Sequence, residues 1–330
     1  MNLIIRRRRF GQMVIVSAAT TAIANFAGKS IAQNSQSLIG VRFSSNTTKQ
    51  SKKVSTDVEN STPALTLVSL DFSVSSDFSS GEEKLSTEIP TQTVDNKDTK
   101  TEKVSKAIHS QPSERITGLA VLSDGTIITS TVGSDQKGNY SKLLFTDKKS
   151  PKSNKSKKVS GFKKSNSTIE YVVATKDDKI ISVVSQTGGP PPFELVLIDP
   201  KNGKVTYDTE LKLPDLPPDI RFSNLALAPD GTFFATTLDR DDATTLVQLD
   251  PQRISVLTGR LLINKLAQLT YNKEPLPNDL LSLTFSPSGQ LIALARFEND
   301  KTNSLLAVDR KTGEMTLLSK VAVDKIAFTR

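Results

Sequence analysis

From residue 115 onward the alternation of apolar and polar positions repeats itself. Ile116–Val121 is followed by Ser123-Asp124-Gly125-Thr126 and then Ile127–Ser130. The same order returns as Ile169–Ala174, Lys176-Asp177-Asp178-Lys179 and Ile180–Val183. It returns again as Phe222–Leu227, Pro229-Asp230-Gly231-Thr232 and Phe233–Thr236, and a fourth time as Leu280–Phe285, Pro287-Ser288-Gly289-Gln290 and Leu291–Leu294. Short runs rich in β-branched and aromatic residues, broken by Asp-Gly or Ser-Gly, predict strand, tight turn, strand, because glycine supplies the positive φ that the reversal needs. Asp124, Asp177, Asp230 and Ser288 occupy the same phase, 53, 53 and 58 residues apart.

A second landmark follows each turn. It is a short apolar strand ending in aspartate: Leu143–Asp147, Leu195–Asp199, Leu246–Asp250 and Leu305–Asp309. Turn-forming residues come next in three copies, at Pro200–Val205, Pro251–Ile254 and Arg310–Met315, and lead into a fourth strand such as Lys204–Tyr207 or Met315–Leu318. Four antiparallel strands at a period near fifty are a propeller blade. The predicted fold is therefore all-β, a β-propeller of four-stranded blades closed by N- and C-terminal strands. Val323–Phe328 reads as the first strand of one more blade, and Ala64–Ser73 as a strand that completes it. That gives five blades, or six if residues 77–115 add strands.

Outside the repeat the composition changes. Hydrophobic residues make up 36% of the chain, and the deficit lies mainly in the first 115 residues and a lysine-rich stretch. Residues 1–32 carry four arginines, Arg6 to Arg9, then a short, mildly apolar stretch and a small-residue ending at Ser30-Ile31-Ala32. This is the layout of a cleavable export signal. Arg7-Arg8-Arg9-Phe10 resembles the twin-arginine motif, which marks cargo exported already folded. Residues 33–61, rich in Ser, Thr, Asn, Gln and Lys, read as a low-complexity linker. Residues 62–330 form the propeller, interrupted by a polar segment at 77–115. The expected location is the periplasm or beyond the cell.

The formal charge of +8 falls to about +3 without residues 1–32, so bulk charge gives no reason to expect nucleic acid as a partner. With no cysteine, thiolate chemistry and disulfides are excluded. The single histidine, His109, lies in the polar segment and cannot anchor a histidine metal cluster or a triad by itself. The chain has no tryptophan, which sets it apart from tryptophan–aspartate repeats and quinone-dependent dehydrogenase propellers.

Four features could carry function, each with a plainer structural reading. Lys148, Lys149, Lys152, Lys155, Lys157, Lys158, Lys163 and Lys164 crowd seventeen residues without an acid; they suit contact with an anionic surface, or simply a solvated hairpin. Asp239-Arg240-Asp241-Asp242 could offer oxygens to calcium, but Glu298-Asn299-Asp300 holds the matching place in the next blade, as a structural loop would. Gly188–Phe193 is a stiff, proline-rich excursion that could line a rim pocket with Phe193, or simply a plain loop. Thr117, Glu170, Asn224 and Ser282, at the starts of inner strands, could at most touch an ion on the axis.

The blade pattern in residues 115–330 resembles the broad group of exported bacterial propellers that includes lactonase-like and NHL-like members, and the end of the leader resembles signals of cyanobacterial envelope proteins. The resemblance implies an architecture and little about activity. No catalytic or cofactor-binding residue is assigned, and any metal ligands are unknown. The expectation is a monomeric, non-catalytic scaffold or binding module, without a cofactor, for an unknown protein, polysaccharide or small molecule. The alternative is a calcium-dependent, lactonase-like hydrolase.

Overall fold

The computed structural model describes residues 37–44, 64–70, 114–147, 155–186, 192–207, 212–241 except 215 and 218, 243–276 except 256–259, 279–298 and 300–329. The export-signal reading of residues 1–32 and most of the linker lie outside these residues. So do His109, Lys148, Lys149, Lys152, Gly188 to Pro191, Asp242 and Asn299.

The strands in chain order are β1 (Leu38–Ser44) and β2 (Ala64–Leu70), then β3 (Arg115–Val121), β4 (Ile127–Asp135), β5 (Gly138–Thr146) and β6 (Lys155–Lys158). Next come β7 (Thr168–Ala174), β8 (Ile180–Ser185), β9 (Phe193–Ile198) and β10 (Val205–Tyr207). They are followed by β11 (Arg221–Leu227), β12 (Phe233–Leu238), β13 (Thr244–Ile254) and β14 (Leu261–Gln268). The last group is β15 (Thr270–Tyr271), β16 (Glu274–Pro275), β17 (Ser282–Phe285), β18 (Leu291–Ala295), β19 (Asn303–Val308), β20 (Glu314–Val321) and β21 (Lys325–Phe328).

These make five sheets: β3–β6, β7–β10, β11–β14, a sheet of β17–β20 extended by β15 and β16, and β21-β1-β2. The inner strands touch in a closed cycle, β3 to β7 to β11 to β17 to β21 and back to β3. The described residues therefore form a five-bladed β-propeller. Hydrophobic clusters fill the spaces between blades; one joins Ile128, Leu143, Ile169, Ile180 and Val196 of the first two blades. Each blade buries both faces against its neighbours, so β4, β8, β12 and β18 are buried at nearly every position.

The predicted turns stand where the repeat places them. Gly125, Gly231 and Gly289 take positive φ at the hairpin tips, and Asp178 does so in the copy that lacks glycine. Other expectations need correction. The linker contains β1, whose Leu38, Ile39 and Val41 are buried. It is β1 that pairs with β21, as Leu38 opposite Phe328 and Val41 opposite Lys325, while β2, among the described residues, pairs with the outer side of β1 alone. The turn expected at Pro251–Ile254 is a continuation of β13 through an irregular register, in which the backbone of Ile254 pairs with that of Leu261. The lysine stretch holds β6, the fourth strand of its blade.

One turn is also a packing device. Asp309–Gly313 closes through Gly313 N to the Asp309 carbonyl at 2.9 Å, and Thr270 N donates to the Gly313 carbonyl at 3.0 Å. Gly313 has φ of +76°, and a Cβ there would lie 2.1 Å from the Gln268 carbonyl oxygen. Gly231 has φ of +92° with open space around it. Gly231→Ala is expected to cost about 1 kcal/mol from backbone conformation alone. Gly313→Ala should cost roughly 3 kcal/mol or more, because the backbone of a neighbouring strand must also move. Urea midpoints of the two variants check the difference; equal losses would mean that the close approach carries no energy.

Candidate functional site

Three inner strands carry the same irregularity. Register shifts fall between Ile116 and Gly118, Ile169 and Tyr171, and Phe222 and Asn224, so Thr117, Glu170 and Ser223 are each an extra residue, a β-bulge. Counting from the hairpin turns then brings Gly118, Tyr171, Asn224, Ser282 and Lys325 to one level of the ring. The four inner-strand residues singled out from sequence straddle two levels, because a bulge cannot be seen in one strand alone. Thr117 and Glu170 are bulge residues, whereas Asn224 and Ser282 belong to the ring. Lys325, on the strand that closes the propeller, is the member that sequence reasoning missed. Its phase in the partial fifth repeat could have exposed it.

Polar contacts at this end of the channel run mainly from blade to blade. Arg115 Nη2 donates to Glu170 Oε2 at 2.7 Å, and Thr168 Oγ1 donates to Glu170 Oε1 at 2.6 Å. Asn224 Nδ2 donates to the Leu280 carbonyl at 3.0 Å and lies 3.5 Å from Asp279 Oδ1. Arg221 Nη2 stands 3.7 Å from Asp279 Oδ2. Ser282 Oγ donates to the Ile326 carbonyl at 3.3 Å, and Lys325 Nζ donates to the Leu281 carbonyl. A cavity of about 20 Å³ lies among Thr117, Tyr171, Asn224, Ser282 and Lys325. That is room for one water molecule with several polar partners.

The electrostatics of this throat are uneven. Burial pushes the Lys325 ammonium down to about 8, and nearby Arg115 adds to the effect; the Asp279 charge opposes it. Burial raises the Asp279 carboxyl, against Ser223, Arg221 and Lys325, which favour its charged form. Burial also raises the Tyr171 hydroxyl. The side chains of Arg115 and Arg221 are half exposed at the mouth. Three cations thus face two carboxylates. Shifted titratable groups converging in a cleft mark a candidate functional site.

Calcium does not fit this donor set. It takes six to eight oxygens, as a rule with several carboxylates among them. Here Glu170 is already held by Arg115 and Thr168, Asp279 faces Arg221, and Lys325 shares the throat. Among the described residues no group of three acidic or histidine side chains could hold a metal.

The described parts of the remaining candidates make structural contacts. Asp239 Oδ1 accepts from the backbone of Asp241 at 3.1 Å and Ala243 at 2.9 Å, closing its own turn, and Arg240 faces Asp219 at 3.6 Å. Asp300 pairs with Lys320. The Phe193 ring meets Phe222 edge-on at 6.1 Å and packs between blades instead of lining a rim. Of the lysine run, Lys157 lies over Phe145 at 5.6 Å and Lys158 over Tyr140 at 5.6 Å. Lys163 sits 4.0 Å over Tyr207 and pairs with Glu194 at 3.1 Å. Lysines on an outer strand also discourage pairing with other sheets.

No family model matches the chain, and no curated protein does. Solved structures with similar backbones include a gluconolactonase from Xanthomonas campestris, at 11% identity and a TM-score of 0.38, with 64% of this chain and 77% of that one covered. A protein of unknown function from Bacteroides caccae gives 14% identity and a TM-score of 0.39, covering 68% and 75%. A luciferin-regenerating enzyme gives 12% identity and a TM-score of 0.34, covering 63% and 76%. Two of these three are named as enzymes, the opposite of the non-catalytic module expected from sequence; at these TM-scores the likeness is one of backbone alone.

Proposed function

We propose that the chain is a hydrolase of small esters or lactones that works without a metal at the charged end of its channel. The observation that supports this reading is Lys325, a lysine whose ammonium is brought down to about 8 beside Asp279 and a water-sized cavity. Catalytic acids and bases work best with such matched values. In the proposed reaction, neutral Lys325 takes a proton from water in that cavity as the water oxygen bonds to the carbonyl carbon. The carbonyl electron pair moves to oxygen, and the oxyanion faces the guanidinium groups of Arg115 and Arg221. When the intermediate collapses, the bond to the leaving oxygen breaks and the Lys325 ammonium returns its proton there. The product is a hydroxy acid from a lactone, or an acid and an alcohol from an ester.

The test is proton release by the full chain against a panel of γ- and δ-lactones and phenyl acetate at pH 8, with and without EDTA. Turnover unaffected by EDTA is expected, with a loss of about a hundredfold or more in Lys325→Met. No turnover across the panel would sink the reading. So would activity that EDTA abolishes and calcium restores, or a Lys325→Met variant as active as the parent.

A further inference from the structure

The other end of the channel is built differently. Past the throat, the inner strands present Leu119, Val172 and Leu283, then Val173, Ala226, Thr284 and Ala327, then Leu227, Phe285 and Phe328 around a cavity of about 590 Å³. Leu119, Val172 and Leu283 also border the throat, so the two spaces share walls along one axis. Packed protein interiors leave few voids larger than a water molecule, and small-molecule pockets fall in this size range.

The chemistry of the wall narrows the ligand. Its ionisable members are Lys176 and Asp230, of opposite charge, at the hairpin tips. Most of its hydroxyl groups are already committed. Thr175 Oγ1 donates to Asp177 at 2.5 Å, Ser286 Oγ bonds Ser288 Oγ at 2.8 Å and accepts from Gln290 N at 3.0 Å, and Thr329 Oγ1 donates to the Ser37 carbonyl at 3.0 Å. A ligand here would gain from burying apolar surface and would find few polar partners. A charged ligand would lose hydration and meet only Lys176 or Asp230, at the hairpin tips. We infer that this vestibule is a second binding site, for an uncharged, largely apolar small molecule. The inference rests on the cavity and its wall and is independent of the chemistry proposed for the charged end.

The test uses Nile red, an uncharged apolar fluorophore, titrated into the full chain. Saturable binding at roughly one site per chain is expected. Thr284→Phe and Leu227→Trp, at partly exposed wall positions, narrow the space and should weaken binding by about tenfold or more. Thr284→Phe is the milder change, so a Leu227→Trp variant that does not fold leaves the test intact. The exposed outer leucines Leu262, Leu317 and Leu318 are the rival surface. A Leu262→Ser, Leu317→Ser, Leu318→Ser variant should bind as the parent does. Non-saturable binding, binding unchanged by Thr284→Phe, or binding lost in the triple serine variant would each overturn the inference.

Discussion

A chain ending at Ala322 is expected to lose cooperative folding. The missing residues include Val323, Ile326 and Phe328, all buried, and the strand β21 that joins β1 to the ring. Burying such side chains stabilises a fold by about 1.5 to 3 kcal/mol each. Three of them are comparable with the total stability of a typical domain, roughly 5 to 15 kcal/mol. The loss does not stop there. Without β21, the inner-strand cycle opens between β17 and β3, and β1 and β2 keep only the side-chain clusters that Leu38 shares with Ile292 and Leu294 and that Val41 shares with Leu119 and Leu144. Open sheet edges then invite pairing between chains. Circular dichroism during urea unfolding and light scattering during refolding would show a shallow, non-cooperative transition and aggregation. A sharp transition at the parent's midpoint would mean that closure contributes little. Ile326→Asp tests the same point without truncation, since it buries a charge at the centre of the seam.

How much of this was readable in advance differs between repeat and exception. The hairpin tips are local: Gly125, Gly231 and Gly289 with their flanking aspartate or serine set the phase of three blades, and Asp177-Asp178 that of the fourth. The strand β1 was hidden because Leu38-Ile39-Gly40-Val41 is a four-residue apolar run within a polar tract, and its partner lies nearly three hundred residues away. The bulges at Thr117, Glu170 and Ser223 were hidden for another reason. A bulge is a relation between two strands, and the sequence of one strand does not register it. The throat was misassigned by one residue in two blades for that cause. Arg115, Arg221 and Asp279 were missed because each lies just outside the apolar core of its repeat, where position along the chain gives no hint that they converge. The vestibule follows from ring geometry, since ordinary alanines and valines become a cavity wall only when five strands meet.

Raising the pH from 8 to 10.5 should stabilise the parent chain relative to Lys325→Met. Lys325 titrates near 8 in the folded chain and at 10.5 in its ordinary state. Between these values the unfolded chain binds the extra proton, so folded stability rises with pH. The cost of holding the charged form is fully present below pH 8 and is gone above 10.5. A shift of this size corresponds to roughly 3 kcal/mol. Tyr140 and Tyr171 act in the opposite sense at the alkaline end. Burial raises both hydroxyls, so the unfolded chain gives up those protons first and stability falls above pH 10. The Lys325→Met variant keeps both tyrosines, so the difference between the two urea-unfolding curves isolates the lysine. The same group ties stability to the proposed chemistry. Turnover should rise with pH through a midpoint near 8 as the neutral amine forms. Coincidence of the kinetic midpoint with the lower edge of the stability window would place one lysine behind both. A stability difference that does not change between pH 8 and 10.5 would show that Lys325 is not held near neutrality, and the proposed base would fall with it.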